Sequence, residues 1–137
     1  MTEIVWITDP LPANRADALD RLGGKGTGLA EMVQRLDLPV PPAFVITTDA
    51  CRAYLADGWP DGLEDQVYAA VDELGRRSGR SFGASSAPLL VSVRSGAPVS
   101  MPGMMDTILN VGVNAAVAGA LAAESGNTDF AVDTLAR

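Results

Sequence analysis

The chain contains no histidine, and that absence removes more chemistry than any other feature of its composition. Without an imidazole there is no histidine general base, no phosphohistidine carrier and no histidine-ligated metal within these 137 residues. A single cysteine, Cys51, excludes an internal disulfide framework and fits a reducing cytoplasm. With no histidine or cationic cluster near it in sequence, Cys51 reads as a buried structural thiol rather than a nucleophile. No run approaches the roughly 18 apolar residues of a membrane span. Met1–Trp6 lacks the basic start and apolar core of a secretory signal. Positive charge is scarce: ten Lys+Arg against 17 Asp+Glu give a net charge of −7, which argues against a nucleic-acid surface. Aromatic residues are few, and Trp6 and Trp59 read as packing residues.

What is present is one domain's worth of ordinary globular sequence, 47% hydrophobic and long enough to bury roughly two-thirds of its unfolded surface. Glu3–Ile7 predicts a short strand, and Thr8–Arg21, with two prolines, a loop. Thr27–Leu36 predicts a helix whose apolar stripe is Leu29, Met32, Val33 and Leu36. After the extended Leu38–Pro42, Ala43–Thr47 predicts a strand, and Thr47 or Thr48 the cap of a helix to about Ala56. Asp61–Arg77 predicts a helix with Leu63, Val67, Val71 and Leu74 on one face and Gly79 as its stop. The Arg76-Arg77 pair near its end reads as a solvated complement to the helix dipole. Leu89–Arg94 predicts a buried strand, Ile108–Val111 another, and Asn114 the cap of a helix through Glu124. Thr128 or Asp129 predicts a last helix cap, with only two turns before Arg137, an ending that reads as cut rather than finished. The expected class is α+β, with a mixed sheet and flanking helices.

Lys25 is the only lysine; the other nine cations are arginines. It lies in Gly23-Gly24-Lys25-Gly26-Thr27-Gly28, just ahead of the predicted helix. A compact ammonium among glycines suits a phosphate oxygen, because the backbone approaches closely and the helix start offers N–H donors. A flexible turn with a solvated lysine is the alternative reading of the same residues. The motif is not a Walker A loop, since glycine follows Lys25 where serine or threonine is required.

A second motif runs from Val91 to Thr107. Arg94 ends the predicted strand, where loops commonly hold ligands, and its guanidinium is a permanently charged fork for phosphate oxygens. Ser95, Gly96, Ser100 and Gly103 could surround an anion with hydroxyl and backbone donors. Equally, the arginine could be a plain surface residue and the methionines of the loop core filler.

Three blocks together resemble the start of the pyruvate, phosphate dikinase family: Gly23–Met32 with GGKG and LAEM, Leu38–Thr48 reading LPVPPAFVITT, and Leu90–Gly112 reading LVSVRSGAPVSMPGMMDTILNVG. Phe130, Asp133 and Arg137 extend the likeness. SMPGMMDT looks more like the dikinase than like phosphoenolpyruvate synthase or rifampicin phosphotransferase, which share the nucleotide module. The resemblance covers nearly the whole chain but only the beginning of the family's polypeptide.

The resemblance implies an incomplete N-terminal portion, residues 1–137, of an ATP-grasp nucleotide-binding domain. The intact enzyme would convert ATP, phosphate and pyruvate into AMP, diphosphate and phosphoenolpyruvate. ATP phosphates would be held by Lys25 and Arg94 from opposite walls of a cleft, with Ser95, Gly96, Ser100, Gly103, Asp106 and Thr107 around them. Gly23, Gly24 and Gly26 would form the glycine-rich turn. Phosphoryl transfer is catalysed largely by such positioning and charge neutralisation. The resemblance further implies that the magnesium-holding carboxylates lie beyond Arg137; within the chain, no paired-carboxylate spacing supports Asp49 or Asp106 as a metal ligand. Pro98 stands where the family usually carries alanine and removes one amide donor. The chain alone should therefore not complete a dikinase cycle. Its expected partners are a nucleotide and the missing domains or a partner chain, with exposed apolar surface favouring self-association. The alternative is a stand-alone, non-catalytic nucleotide-binding or partner-association module.

Overall fold

The computed structural model describes residues 2–96 and 107–137. These form two compact units: residues 2–70 with Ser95 and Gly96, and residues 71–94 with 107–137.

In the first unit, β1 (Ile4–Trp6) pairs antiparallel with β2 (Phe44–Ile46), Ile4 opposite Ile46 and Trp6 opposite Phe44. The Trp6 and Phe44 rings meet edge to face, 5.3 Å between centroids. Between the strands runs α1 (Arg15–Gln34). It starts earlier than its prolines suggest. Asn14 caps it, its side-chain oxygen accepting from Ala16 N at 2.9 Å, so the segment expected as loop to Arg21 is helical from Arg15.

α1 is not one straight rod. Gly23 has φ 72° and ψ 174°, outside the helical region. Arg15 Nε lies 2.9 Å from Glu31 Oε1, sixteen residues along the chain. A straight helix would separate those positions by about 24 Å, beyond the reach of the two side chains. The chain therefore turns back at Gly23, and residues 15–22 and 24–34 are two arms about that corner.

The buried face of α1 is Ala18, Leu22, Gly23, Gly26, Thr27 and Ala30. The expected stripe is displaced: Met32 and Leu36 are exposed, Leu36 by 64%. The reason is the small-residue face. A Cβ on Gly26 would lie 2.9 Å from Val45 Cγ2, so glycine lets the second arm close on β2 as no larger residue would.

Thr47 caps α2 (Thr48–Asp57) as its spacing predicts, accepting from Ala50 N. Arg52 joins α2 to α1 by donating to both Asp20 and Asp49, and the hydrogen bond to Asp20, then that to Asp49, raises the guanidinium's pKa. Cys51 is exposed, contrary to expectation; its neighbour Ala50 occupies the inward position of α2. Trp59 is also exposed, edge to face with Tyr54. α3 (Leu63–Ser78) follows the expected helix, with Leu63 and Leu74 buried.

The second unit holds β3 (Ser81–Phe82) bridged in parallel to β4 (Pro88–Leu89), and β5 (Val91–Arg94) antiparallel to β6 (Thr107–Val111). The mixed sheet is thus replaced, among the described residues, by three two-stranded pairs, although the mixture of helix and strand remains α+β. The predicted buried strand divides into β4, which is buried, and β5, which is exposed from Ser92 onward because, among the described residues, only β6 pairs with it. Asn114 caps α4 (Ala115–Ser125), accepting from Val117 N at 2.9 Å. Asn127, one residue before the predicted cap, starts α5 (Thr128–Ala136) by accepting from Phe130 N. Val117, Leu121 and Ala131 form the core of this helix pair, with Leu90, Val113 and Ala122 packed against it.

Candidate functional site

The lone lysine stands in the first turn of the second arm of α1, two residues past the Gly23 corner. Its ammonium donates to the Ser95 carbonyl at 3.0 Å, seventy residues away in sequence. The backbones meet at the same place: a Cβ on Gly23 would lie 3.2 Å from both Cα and the carbonyl carbon of Gly96. The first unit thus brings together Gly23, Lys25, Ser95 and Gly96 from the two motifs. Gly24 and Gly26 belong to the helical arm after the corner, and Gly26 faces Val45.

In the second unit, Arg94 and Thr107 are register partners at the end of the β5–β6 ribbon, both exposed. Ser100, Gly103 and Asp106, together with Pro98, lie outside the described residues.

An ammonium carries three N–H donors. One is given to Ser95, which leaves two for an anion's oxygens, so the donor set at Lys25 fits a phosphate. Metal binding is another matter. Among the described residues no three His, Cys, Asp or Glu side chains come together. The Asp49 carboxylate is engaged by Arg52 at 2.7 Å. These residues do not fit a magnesium ion by themselves.

Sequence reasoning missed Thr27. Its hydroxyl is completely buried and has no hydrogen-bond partner. A helical threonine commonly bonds the carbonyl three or four residues back. Four back is Gly23, whose ψ of 174° swings that carbonyl off the helical direction. A glycine followed four residues later by a threonine was the available signal.

The second unit also contains a hollow of about 370 Å³ lined by Asp72, Gly75, Arg76, Arg80 and Phe82 among others. Its cations are engaged: Arg76 bonds Glu73, and Arg80 bonds Glu124. The carboxyl of Glu124 is held below its ordinary pKa by the hydrogen bond from Arg80, and that of Glu73 by those from Arg77 and then Arg76.

Known proteins place the lysine in context. The family described as "Pyruvate phosphate dikinase, AMP/ATP-binding domain" matches residues 19–58, which contain the Gly23 corner and Lys25. Pyruvate, phosphate dikinase of Rhizobium meliloti (strain 1021) is 50% identical over 124 residues, 89% of this chain and 14% of that protein. Over this segment the chain is similar to pyruvate, phosphate dikinase. The dikinase of Entamoeba histolytica is 50% identical over 118 residues, 85% of the chain and 13% of that protein. The Clostridium symbiosum dikinase is 48% identical over 118 residues, with the same shares. The chain thus spans about 14% of the length of the dikinases it matches. Among the described residues no helix is long and apolar enough to cross a membrane.

Proposed function

We propose that this chain is the phosphate-holding front part of the nucleotide-binding region of a dikinase-type phosphotransferase, built on the ATP-grasp plan. The observation that carries this reading is Lys25, the one lysine, held at a glycine corner inside the stretch that matches an AMP/ATP-binding family. Two of its N–H donors remain for phosphate oxygens, and the first turn of the second helical arm adds backbone donors beside it. Arg94 supplies a second cation able to grip two oxygens at once. Ser95, Gly96, Ser100, Gly103, Asp106 and Thr107 belong to the segment that surrounds the phosphates.

When bound, ATP supplies the phosphoryl group. The part of this chain is to orient the phosphates and to balance their charge. Magnesium ligands and the phosphoryl acceptor come from sequence outside residues 1–137. The parent reaction on this reading takes ATP, phosphate and pyruvate to AMP, diphosphate and phosphoenolpyruvate, in the cytoplasm. Domains of the longer polypeptide, or a partner chain, complete the site. Without them the exposed Leu55, Tyr54 and Trp59 favour self-association.

Calorimetric titration of ATP into the chain and into Lys25→Ala tests the proposal. Binding by the wild type that Lys25→Ala loses is the expected result. Equal affinity in both, or none in either, overturns it. Incubation of the chain alone with ATP, phosphate and pyruvate should yield no phosphoenolpyruvate.

A further inference from the structure

We infer that Gly23 is the positioning residue for Lys25: its backbone corner, open only to glycine, sets Ser95 where the carbonyl holds the ammonium. The consequence for phosphate rests on the reading above; the geometry does not.

At φ 72° and ψ 174° Gly23 occupies a region that is essentially closed to residues with a side chain. Space is tight as well, because a Cβ would stand 3.2 Å from the Gly96 Cα and carbonyl carbon, so that the Gly96 backbone would have to give by a few tenths of an ångström. Both restrictions act on one residue, and both bear on Lys25. The corner starts the helical arm from which Lys25 projects. It also admits the Gly96 backbone, which carries the Ser95 carbonyl to within 3.0 Å of the ammonium. The two walls are unequal. A Cβ on Gly96 would meet only ordinary contacts, 3.5 Å from the Leu22 carbonyl oxygen and 3.6 Å from Gly23 Cα. The requirement for glycine therefore lies at position 23. Further along the same arm, Gly28 has nothing within 4 Å of a Cβ and is not part of the device.

A long lysine side chain fixed before an anion arrives has already lost the rotamer freedom that binding would otherwise remove. Gly23 on this account serves affinity without touching the ligand.

The single lysine makes a direct test possible. With isotope-labelled lysine incorporated, the full chain gives one set of side-chain signals by nuclear magnetic resonance. In the wild type and in Gly28→Ala the two ε-methylene protons should be inequivalent, because the ammonium is held, and tripolyphosphate should shift them. In Gly23→Ala they should collapse to one averaged signal. Tripolyphosphate affinity should then fall about tenfold, the factor for immobilising one long side chain on binding rather than beforehand. A Gly23→Ala chain that keeps both the inequivalence and the affinity overturns the inference. If tripolyphosphate shifts nothing in the wild type, the phosphate reading fails, while the inequivalence still decides the positioning role. Should Gly23→Ala lose its helical circular dichroism, Gly96→Ala tests which wall carries the requirement. Its Cβ meets only ordinary contacts, so the ε-methylene protons should stay inequivalent, which supports the inference. Averaged protons in Gly96→Ala with helix content intact refute it.

Discussion

The Lys25 ammonium donates to the carbonyl of Ser95 across 3.0 Å, and so joins the two glycine-containing motifs of the chain. That bond is exposed, and a single hydrogen bond of this kind contributes roughly 1 kcal/mol. Lys25→Ala should therefore unfold in urea at nearly the wild-type midpoint while losing ATP affinity by at least tenfold. Lys25→Arg keeps the charge but presents a planar fork in place of a compact ammonium, and should restore only part of the affinity. Urea unfolding beside calorimetric ATP titration separates the two effects. A loss of stability large enough to explain the loss of binding would make Lys25 a structural residue.

Arg94 sits opposite Thr107 at the exposed end of the β5–β6 ribbon. Removing an exposed side chain from such a position changes stability by no more than about 0.5 kcal/mol. Arg94→Ala should weaken ATP binding and flatten its dependence on salt, since one fewer cation meets the phosphates. Affinities measured across a salt series check this. An unchanged slope would remove Arg94 from the phosphate site.

The helix caps were legible in the sequence because they are local chemistry: Thr47 and Asn114 each satisfy a backbone N–H three residues on, whatever packs around them. The stretch from Gly23 to Gly28 was harder. Glycine disfavours helix when taken alone, so the run reads as a loop; here, apart from the Gly23 corner, packing outweighs propensity because Gly26 lets the arm close on Val45. The same close approach moved the buried face from Met32 and Leu36 to Leu22, Gly26 and Ala30. Periodicity counts large apolar residues, and this face is made of small ones. For the candidate site, the sequence pointed to Lys25 and Arg94 through residue type, their glycine-containing motifs and the family resemblance. The contact of Gly23 with Gly96 depends on two backbones meeting in space, which no one-dimensional pattern records.

The buried Thr27 hydroxyl has lost its usual acceptor to the Gly23 corner. An unsatisfied buried polar group costs about 1–3 kcal/mol, whereas an apolar group of the same shape carries no such penalty. Thr27→Val should raise stability by about 1 kcal/mol. Thermal and urea unfolding would show it. A clear loss of stability would mean that the hydroxyl has a partner, such as a buried water, that valine displaces.

Arg80 lowers the pKa of Glu124 by bonding its carboxylate. A carboxyl whose pKa is lower in the folded state adds stability above its unfolded pKa of about 4.3, and loses that contribution as pH falls through the folded value. Both groups are exposed, so the effect is small and salt-sensitive. Glu124→Gln should be less stable than the wild type at neutral pH, with the difference vanishing once the medium is acid enough to protonate Glu124. Urea midpoints of the two chains from neutral to acid pH test the sign. A gap that widens on acidification would contradict the pairing.

Gly26 and Gly28 differ in what surrounds them, although both lie in the second arm of α1. A Cβ at Gly26 would press to 2.9 Å from Val45 Cγ2, while at Gly28 it would meet nothing within 4 Å. Alanine gains about 1 kcal/mol over glycine inside a helix, and overpacking costs about 1–3 kcal/mol. Gly28→Ala should therefore stabilise the chain, and Gly26→Ala should forgo that gain and destabilise it by up to about 2 kcal/mol once the two terms are set against each other. Adding Val45→Ala to Gly26→Ala should recover part of the loss, because the obstructing methyls are gone, and the recovery measures the coupling of the two positions. If Gly26→Ala stabilises as much as Gly28→Ala, the helical arm does not close on β2 through this glycine.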